Sequence, residues 1–271
     1  MPTFTEKLLA ASRRNGSLVC VGLDPDPALM PEVDVATFNR RIIEATSDLV
    51  CAYKPNLAFY EALGMAGLRA LEETLKAIPH NIPVIGDAKR GDIGSTAKAY
   101  ARACFEVWGF DATTVNVFGG FEGTLPFLEY KDRGIFIWCL SSNEGRKDFQ
   151  LLDVGSAPET EPLYERIVSK ALEWNTSDNI GLVVGATAPA EIKKVRGMAP
   201  KMPLLIPGVG AQAGELAAAV RFGVDSGGQR AIINSSRQVL YASKGPDFAE
   251  AARKSAMALR LQVREALGTL A

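Results

Sequence analysis

Apolar residues along this chain fall into short runs rich in Val, Ile and Leu, separated by longer stretches where they recur every three or four positions. The short runs, at 18–23, 49–53, 83–88, 112–117, 134–140, 180–185, 203–207 and 231–234, predict eight strands. The longer stretches predict helices near 36–47, 66–77, 94–107, 121–130, 160–174, 189–198, 213–222 and 247–267. In the last of these, Phe248, Ala252, Ala256, Leu259 and Val263 share one helical face. Strands that alternate with helices pair in parallel through right-handed crossovers. Eight such units in 271 residues favour closure into a (β/α)8 TIM barrel, a single domain over 1–271, rather than an open doubly wound sheet. No G-x-G-x-x-G opens a helix after the first strand, which argues against dinucleotide binding. The longest irregular stretch, 141–159, follows the fifth strand and is expected to overhang the barrel mouth.

Composition narrows the function. A hydrophobic content of 47% supports a sizeable core, and a net charge of −1 offers no basic footprint for nucleic acid. No run approaches the ~18 apolar residues of a membrane span. The first residues, Pro2 to Ala11, read as the start of an amphipathic helix and not as a signal-peptide block, which predicts a cytoplasmic protein. Cys20, Cys51, Cys104 and Cys139 are scattered with no C-x-x-C pair, as expected of small core residues in a reducing compartment. The single histidine, His80, lies in a loop before the third strand, on the barrel face opposite the chemistry. Acid–base work therefore falls to Lys, Asp or Glu.

Active sites of such barrels lie at the C-terminal ends of the strands. Strand three ends in Asp87-Ala88-Lys89-Arg90-Gly91-Asp92-Ile93, and a period of two puts Asp87 and Lys89 on one face. Ionised side chains are a poor core filling, because burying charge is costly. A surface salt bridge with Asp92 capping the next helix is the plain alternative. Other strand ends carry Asp24 before Pro25, Lys54 in Tyr53-Lys54-Pro55-Asn56, and Ser141-Ser142-Asn143. Each has an ordinary explanation as a turn former or a solvated side chain. Six polar strand ends in one mouth are harder to dismiss together. After strands seven and eight, Pro207-Gly208-Val209-Gly210-Ala211-Gln212 and Asn234-Ser235-Ser236-Arg237 suggest an anion site. Glycines let backbone N–H groups approach a ligand, and an arginine grips phosphate with two parallel hydrogen bonds. Spacing alone thus supports a phosphate-binding barrel with a lysine-centred site.

Together these residues resemble the orotidine 5′-monophosphate decarboxylase family, in its longer bacterial-type branch. The stretch from Asp87 to Ile93 is similar to that family's D-x-K-x-x-D-I signature, and Ser141-Ser142-Asn143 to its Thr-Ser-Asn. Glu144 departs from the pattern, standing where a proline is common. The resemblance implies decarboxylation of orotidine 5′-monophosphate to uridine 5′-monophosphate, with no cofactor and no metal. It implies that Lys89 protonates C6 of the pyrimidine, that Asp87 faces the substrate carboxylate, and that Lys54 completes the charged array. Asp92, Ile93 and Thr96 would reach the active site of a partner subunit in a homodimer. Asp24 would hold a ribose hydroxyl, Ser142 the pyrimidine amide edge and Pro207 the base, while Gln212 and Arg237 would take the phosphate. A metal-dependent sugar-phosphate decarboxylase or aldolase, and a non-catalytic nucleotide-binding barrel, are the alternatives.

Overall fold

Ten strands and the helices between them make up the computed structural model, which describes residues 2–208 and 213–268. The strands are β1 (Val19–Leu23), β2 (Ala52–Pro55), β3 (Ile85–Arg90), β4 (Ala112–Val115), β5 (Gly134–Leu140), β6 (Asp153–Ser156), β7 (Glu159–Pro162), β8 (Ile180–Val184), β9 (Leu204–Pro207) and β10 (Ala231–Ser235). Eight of them form one parallel sheet in the order β2-β1-β10-β9-β8-β5-β4-β3. The ring closes between β2 and β3 through two isolated bridges, Tyr53 to Val84 and Asn56 to Asp87. This is the (β/α)8 barrel that the alternating pattern predicts.

The strand sequences divide their side chains between two cores. Val19, Val21 and Leu23 of β1 pack outward in the layer shared with the helices. The barrel interior takes one buried residue from each of the eight strands: Cys20, Ala52, Ile85, Ala112, Phe136, Val183, Leu205 and Ile232. That interior is a packed core, so a ligand can only sit above it, at the strand ends.

The bottom of the barrel is plugged by the N-terminal helix, Phe4–Asn15. Thr3 and Glu6 form a capping box, with Glu6 N donating to Thr3 Oγ1 (3.3 Å) and Thr3 N to Glu6 Oε2 (2.8 Å). Phe4 meets the Phe136 ring edge-on at 5.5 Å, and a Cβ at Gly134 would fall 2.5 Å from its ring. Burying a phenylalanine in this way contributes ~1.5–3 kcal/mol. Lys7 locks the helix to the rim through an ion pair of 2.7 Å with Asp111.

Several boundaries differ from the expected ones for identifiable reasons. The second strand covers Ala52–Pro55, not 49–53, because the apolar run 49–51 is buried as the approach to the strand. Lys54 therefore lies inside the sheet. The helix expected over 94–107 loosens after Arg102 into a π-helical turn, Ala103–Val107. Within the stretch expected to be irregular, a single-turn 3-10 helix, Glu144–Asp148, leads into the antiparallel hairpin β6–β7. The following helix starts at Leu163, not 160. By contrast, all five predicted face residues of the C-terminal helix, Phe248–Gly268, are buried. His80 is exposed ahead of β3, and the four cysteines are free and buried. Among the described residues, no helix is long and apolar enough to cross a membrane.

Candidate active site

A cavity of ≈ 720 Å³ opens over the C-terminal strand ends, with Asp24, Lys54, Asp87, Pro207, Asn234 and Arg237 among its walls. Its floor is a chain of ionised groups. Lys54 Nζ from β2 donates to Asp87 Oδ2 (2.8 Å), and Lys89 Nζ donates to Asp87 Oδ1 (2.5 Å). Thr114 Oγ1 of β4 donates a further hydrogen bond to Asp87 Oδ1 (3.0 Å). Asp87 is buried and Lys54 more so, whereas the Lys89 side chain is 37% exposed. One carboxylate thus holds two ammonium groups, the buried Lys54 in the cavity wall and the more exposed Lys89 at the end of β3.

The electrostatics follow from that arrangement. Burial works to raise the Asp87 carboxyl, yet Lys54 and then Lys89 outweigh it and hold it well below the usual carboxylate range. Burial likewise pulls the Lys54 ammonium down, and the Asp87 and Asp24 carboxylates together lift it above the ordinary lysine value. Both groups therefore stay charged through neutral pH. Lys89 lies 5.9 Å from the centroid of the Trp138 ring.

Asp24 and Asn234 follow on the adjoining strands, Asp24 just past the end of β1 and Asn234 in β10. Among the described residues, Asp24 Oδ1 and Asn234 Oδ1 are buried oxygens that accept no hydrogen bond from the protein, so both suit a ligand donor. Gly208 adopts φ +86°, and a Cβ there would approach Ser142 Cβ and Oγ to 3.1 Å. The glycine thus brings the end of β9 against the end of β5 and sets Ser142 beside Pro207. Thr187 Oγ1 donates to the Ser142 carbonyl (2.8 Å), which fixes that turn from the next loop. Arg237 is exposed at the cavity rim after β10. Gln212, expected beside it, lies outside the described residues.

Asp92, Ile93 and Thr96 are not brought to this cavity by their own chain. All three are exposed at the start of the helix Gly94–Arg102, and the Asp92 carboxylate accepts only from the adjacent Ile93 N (2.7 Å) among the hydrogen bonds seen. Ile93 is 60% and nearby Phe118 86% exposed, an apolar edge beside the mouth. Among the described residues, no group of three or more His, Cys, Asp or Glu side chains could hold a metal ion.

The chain that carries this lysine–aspartate–lysine set, drawn from β2 and β3, is matched by a known family model. Residues 17–254 fit the model described as "Orotidine 5'-phosphate decarboxylase / HUMPS family". The chain belongs to this family. It is 52% identical to an orotidine 5′-phosphate decarboxylase of Dehalococcoides mccartyi over 258 residues, covering 95% of this chain and 96% of that one. A second relative of the same description, from Herpetosiphon aurantiacus, is 52% identical over 264 residues, covering 94% and 96%. Among solved structures, the Leishmania donovani OMP decarboxylase superposes with a TM-score of 0.82 at 37% identity, covering 96% of this chain and 99% of that one. Sequence reading passed over two groups at the site, Thr114 and Trp138. Period-two alternation marks the face of each but gives no sign of a charged neighbour on another strand.

Proposed function

We propose that this chain removes carbon dioxide from orotidine 5′-monophosphate to give uridine 5′-monophosphate, as a carboxy-lyase of pyrimidine biosynthesis in the cytoplasm. The observation that carries the reading is the Lys54–Asp87–Lys89 array, two of whose members line the cavity over the strand ends. Cleavage of the bond between C6 and the carboxylate leaves the electron pair on C6, in an sp2 orbital outside the ring π system. The Lys89 ammonium stands ready to stabilise that carbon and to give it a proton, becoming an amine that solvent reprotonates. Fixed charge of this kind works because it needs no reorganisation as the carbanion forms.

Repulsion of the substrate carboxylate by Asp87 is a smaller contribution. Two like charges ~4 Å apart repel by ~1 kcal/mol in water and by ~4 kcal/mol at an effective dielectric of about 20. Enzymes lower barriers by ~8–23 kcal/mol, so stabilisation of the carbanion must dominate, aided by binding of the distant phosphate. Arg237 and Gln212 are assigned to that phosphate, Asp24 to a ribose hydroxyl, and Ser142 and Pro207 to the base. The unpartnered Asp24 oxygen and the Gly208-mediated approach of Ser142 to Pro207 support those roles.

The reading is tested by following loss of the orotate ultraviolet absorbance when enzyme is added. Turnover should survive exhaustive chelation; dependence on a divalent metal, or consumption of a sugar phosphate in place of the nucleotide, defeats it.

A homodimer completes the site in this reading. Asp92, Ile93 and Thr96 are solvent-exposed beside the mouth, where a partner's cavity could receive them. Asp92→Asn and Lys54→Ala variants, each nearly inactive, should regain up to about a quarter of parental activity when mixed. Random exchange makes about half the dimers mixed, and each of those has one of two sites free of both changes. Absence of recovery after demonstrated subunit exchange places Asp92 in its own subunit's chemistry instead.

A further inference from the structure

Lys89 has a left-handed backbone, φ +45°, which is uncommon and strained for a residue with a side chain. It sits in an interruption of the β3–β4 ladder. Gly86 pairs with Thr113 and Arg90 with Val115, so Asp87, Ala88 and Lys89 all face the single residue Thr114. Three residues against one is a bulge, and bulges re-aim side chains next to active sites. The backbone groups in such a bulge lose their ladder partners, and a hydroxyl can supply them.

Thr114 does this with both of its hydrogen-bonding functions. Its Oγ1 accepts from Lys89 N (2.9 Å) and donates to Asp87 Oδ1 (3.0 Å), and the residue is 1% exposed. The donated proton leaves the acceptor lone pair directed at the Lys89 amide, so the two bonds are mutually consistent. The ladder resumes at once beyond the bulge, where Asn116 N donates to Arg90 O (2.8 Å). One buried hydroxyl therefore joins the strained backbone of the lysine to the carboxylate that its own ammonium grips.

We propose that Thr114 is a positioning residue: its hydroxyl pins the Asp87–Lys89 bulge in the conformation that holds the Lys89 ammonium against Asp87 at the strand end. The inference rests on the decarboxylase reading for its kinetic consequence but not for its structural one. Displacing a reacting group by ~1 Å can cost about 10²-fold in rate.

Thr114→Val keeps the shape and removes both hydrogen bonds, while Thr114→Ser keeps the hydroxyl. With orotidine 5′-monophosphate as substrate, the valine variant should lose about 10- to 100-fold in kcat with KM within about threefold of the parent. The serine variant should return to within about threefold in kcat. A general loss of fold lowers the active fraction of both variants and shows in their circular dichroism, whereas lost positioning separates valine from serine. Exchange of the Lys89 amide proton, followed by nitrogen-15 NMR without substrate, should be at least about tenfold faster in Thr114→Val, with the Ile85 amide unchanged. Parental kcat in the valine variant, equal loss in both variants, or unaltered exchange at Lys89 overturns the proposal. A parent chain inert toward the nucleotide overturns the functional reading alone, because the exchange measurement still decides the role of Thr114.

Discussion

Lys89→Ala should reduce decarboxylation by at least about 10⁴-fold while the protein stays folded. Two separable contributions vanish with one amine. A positioned general acid is typically worth ~10²–10⁴ in rate, and one preorganised electrostatic contact ~10²–10³. The fold should survive because the lysine is the exposed end of the array. After its removal, Asp87 still accepts from Lys54 Nζ and Thr114 Oγ1, so no buried charge is left alone. Single-turnover measurement with saturating substrate reads the chemical step directly, and circular dichroism reads the fold. Activity within tenfold of the parent would remove Lys89 from proton transfer and from carbanion stabilisation together.

Asp87→Ala should be the more damaging change to stability. It leaves the Lys54 ammonium 4% exposed in its side chain, without the carboxylate at 2.8 Å. Breaking a buried pair by deleting one partner typically costs ~3–5 kcal/mol, which for a barrel of this size lowers Tm by roughly 10 °C. Replacing both partners, as in Lys54→Met with Asp87→Leu, should recover most of that loss although activity stays absent.

The pH dependence separates these cases. In the parent, the Asp87 carboxyl titrates below its ordinary 3.8, so its contribution is present above that value and fades as pH falls through the lowered folded-state pKa. Lys54 titrates above its ordinary 10.5, so its contribution is complete below that value and is lost as pH rises through the raised folded-state pKa. The pair's contribution is therefore flat from about pH 5 to about pH 10. In Asp87→Ala the sign for Lys54 reverses: burial without that partner favours the neutral amine, and the deficit should shrink as pH rises. A deficit independent of pH, measured by denaturant unfolding across that range, would show that lost packing and not stranded charge sets the cost.

The barrel was legible because each unit repeats the same physical pattern, an apolar strand followed by a three-and-four helix. The charged strand ends were legible because ionised residues at the close of an apolar run are expensive unless they do something. Boundaries were harder. The run 49–51 is as apolar as any strand, and nothing local says that pairing begins at Ala52 and carries Lys54 into the wall. The hairpin β6–β7 was missed because its strands are largely exposed and lack a buried alternating face. Period two put Asp87 and Lys89 side by side, and they do share a contact, but through a bulge that alternation cannot express. Thr114 stayed invisible for the same reason, since its partners lie in the bulge of the neighbouring strand β3.

The seam of the barrel gives the site a second meaning. Between β2 and β3 the ladder shrinks to two bridges, one of which runs from Asn56 to Asp87 itself. Lys54 belongs to one side of that join and Asp87 to the other, so the charged link spans the thinnest stitch in the wall. The groups that hold Lys89 also clasp the cylinder shut. Chemistry and mechanical closure are thereby welded into one element, and wear on either is felt by both.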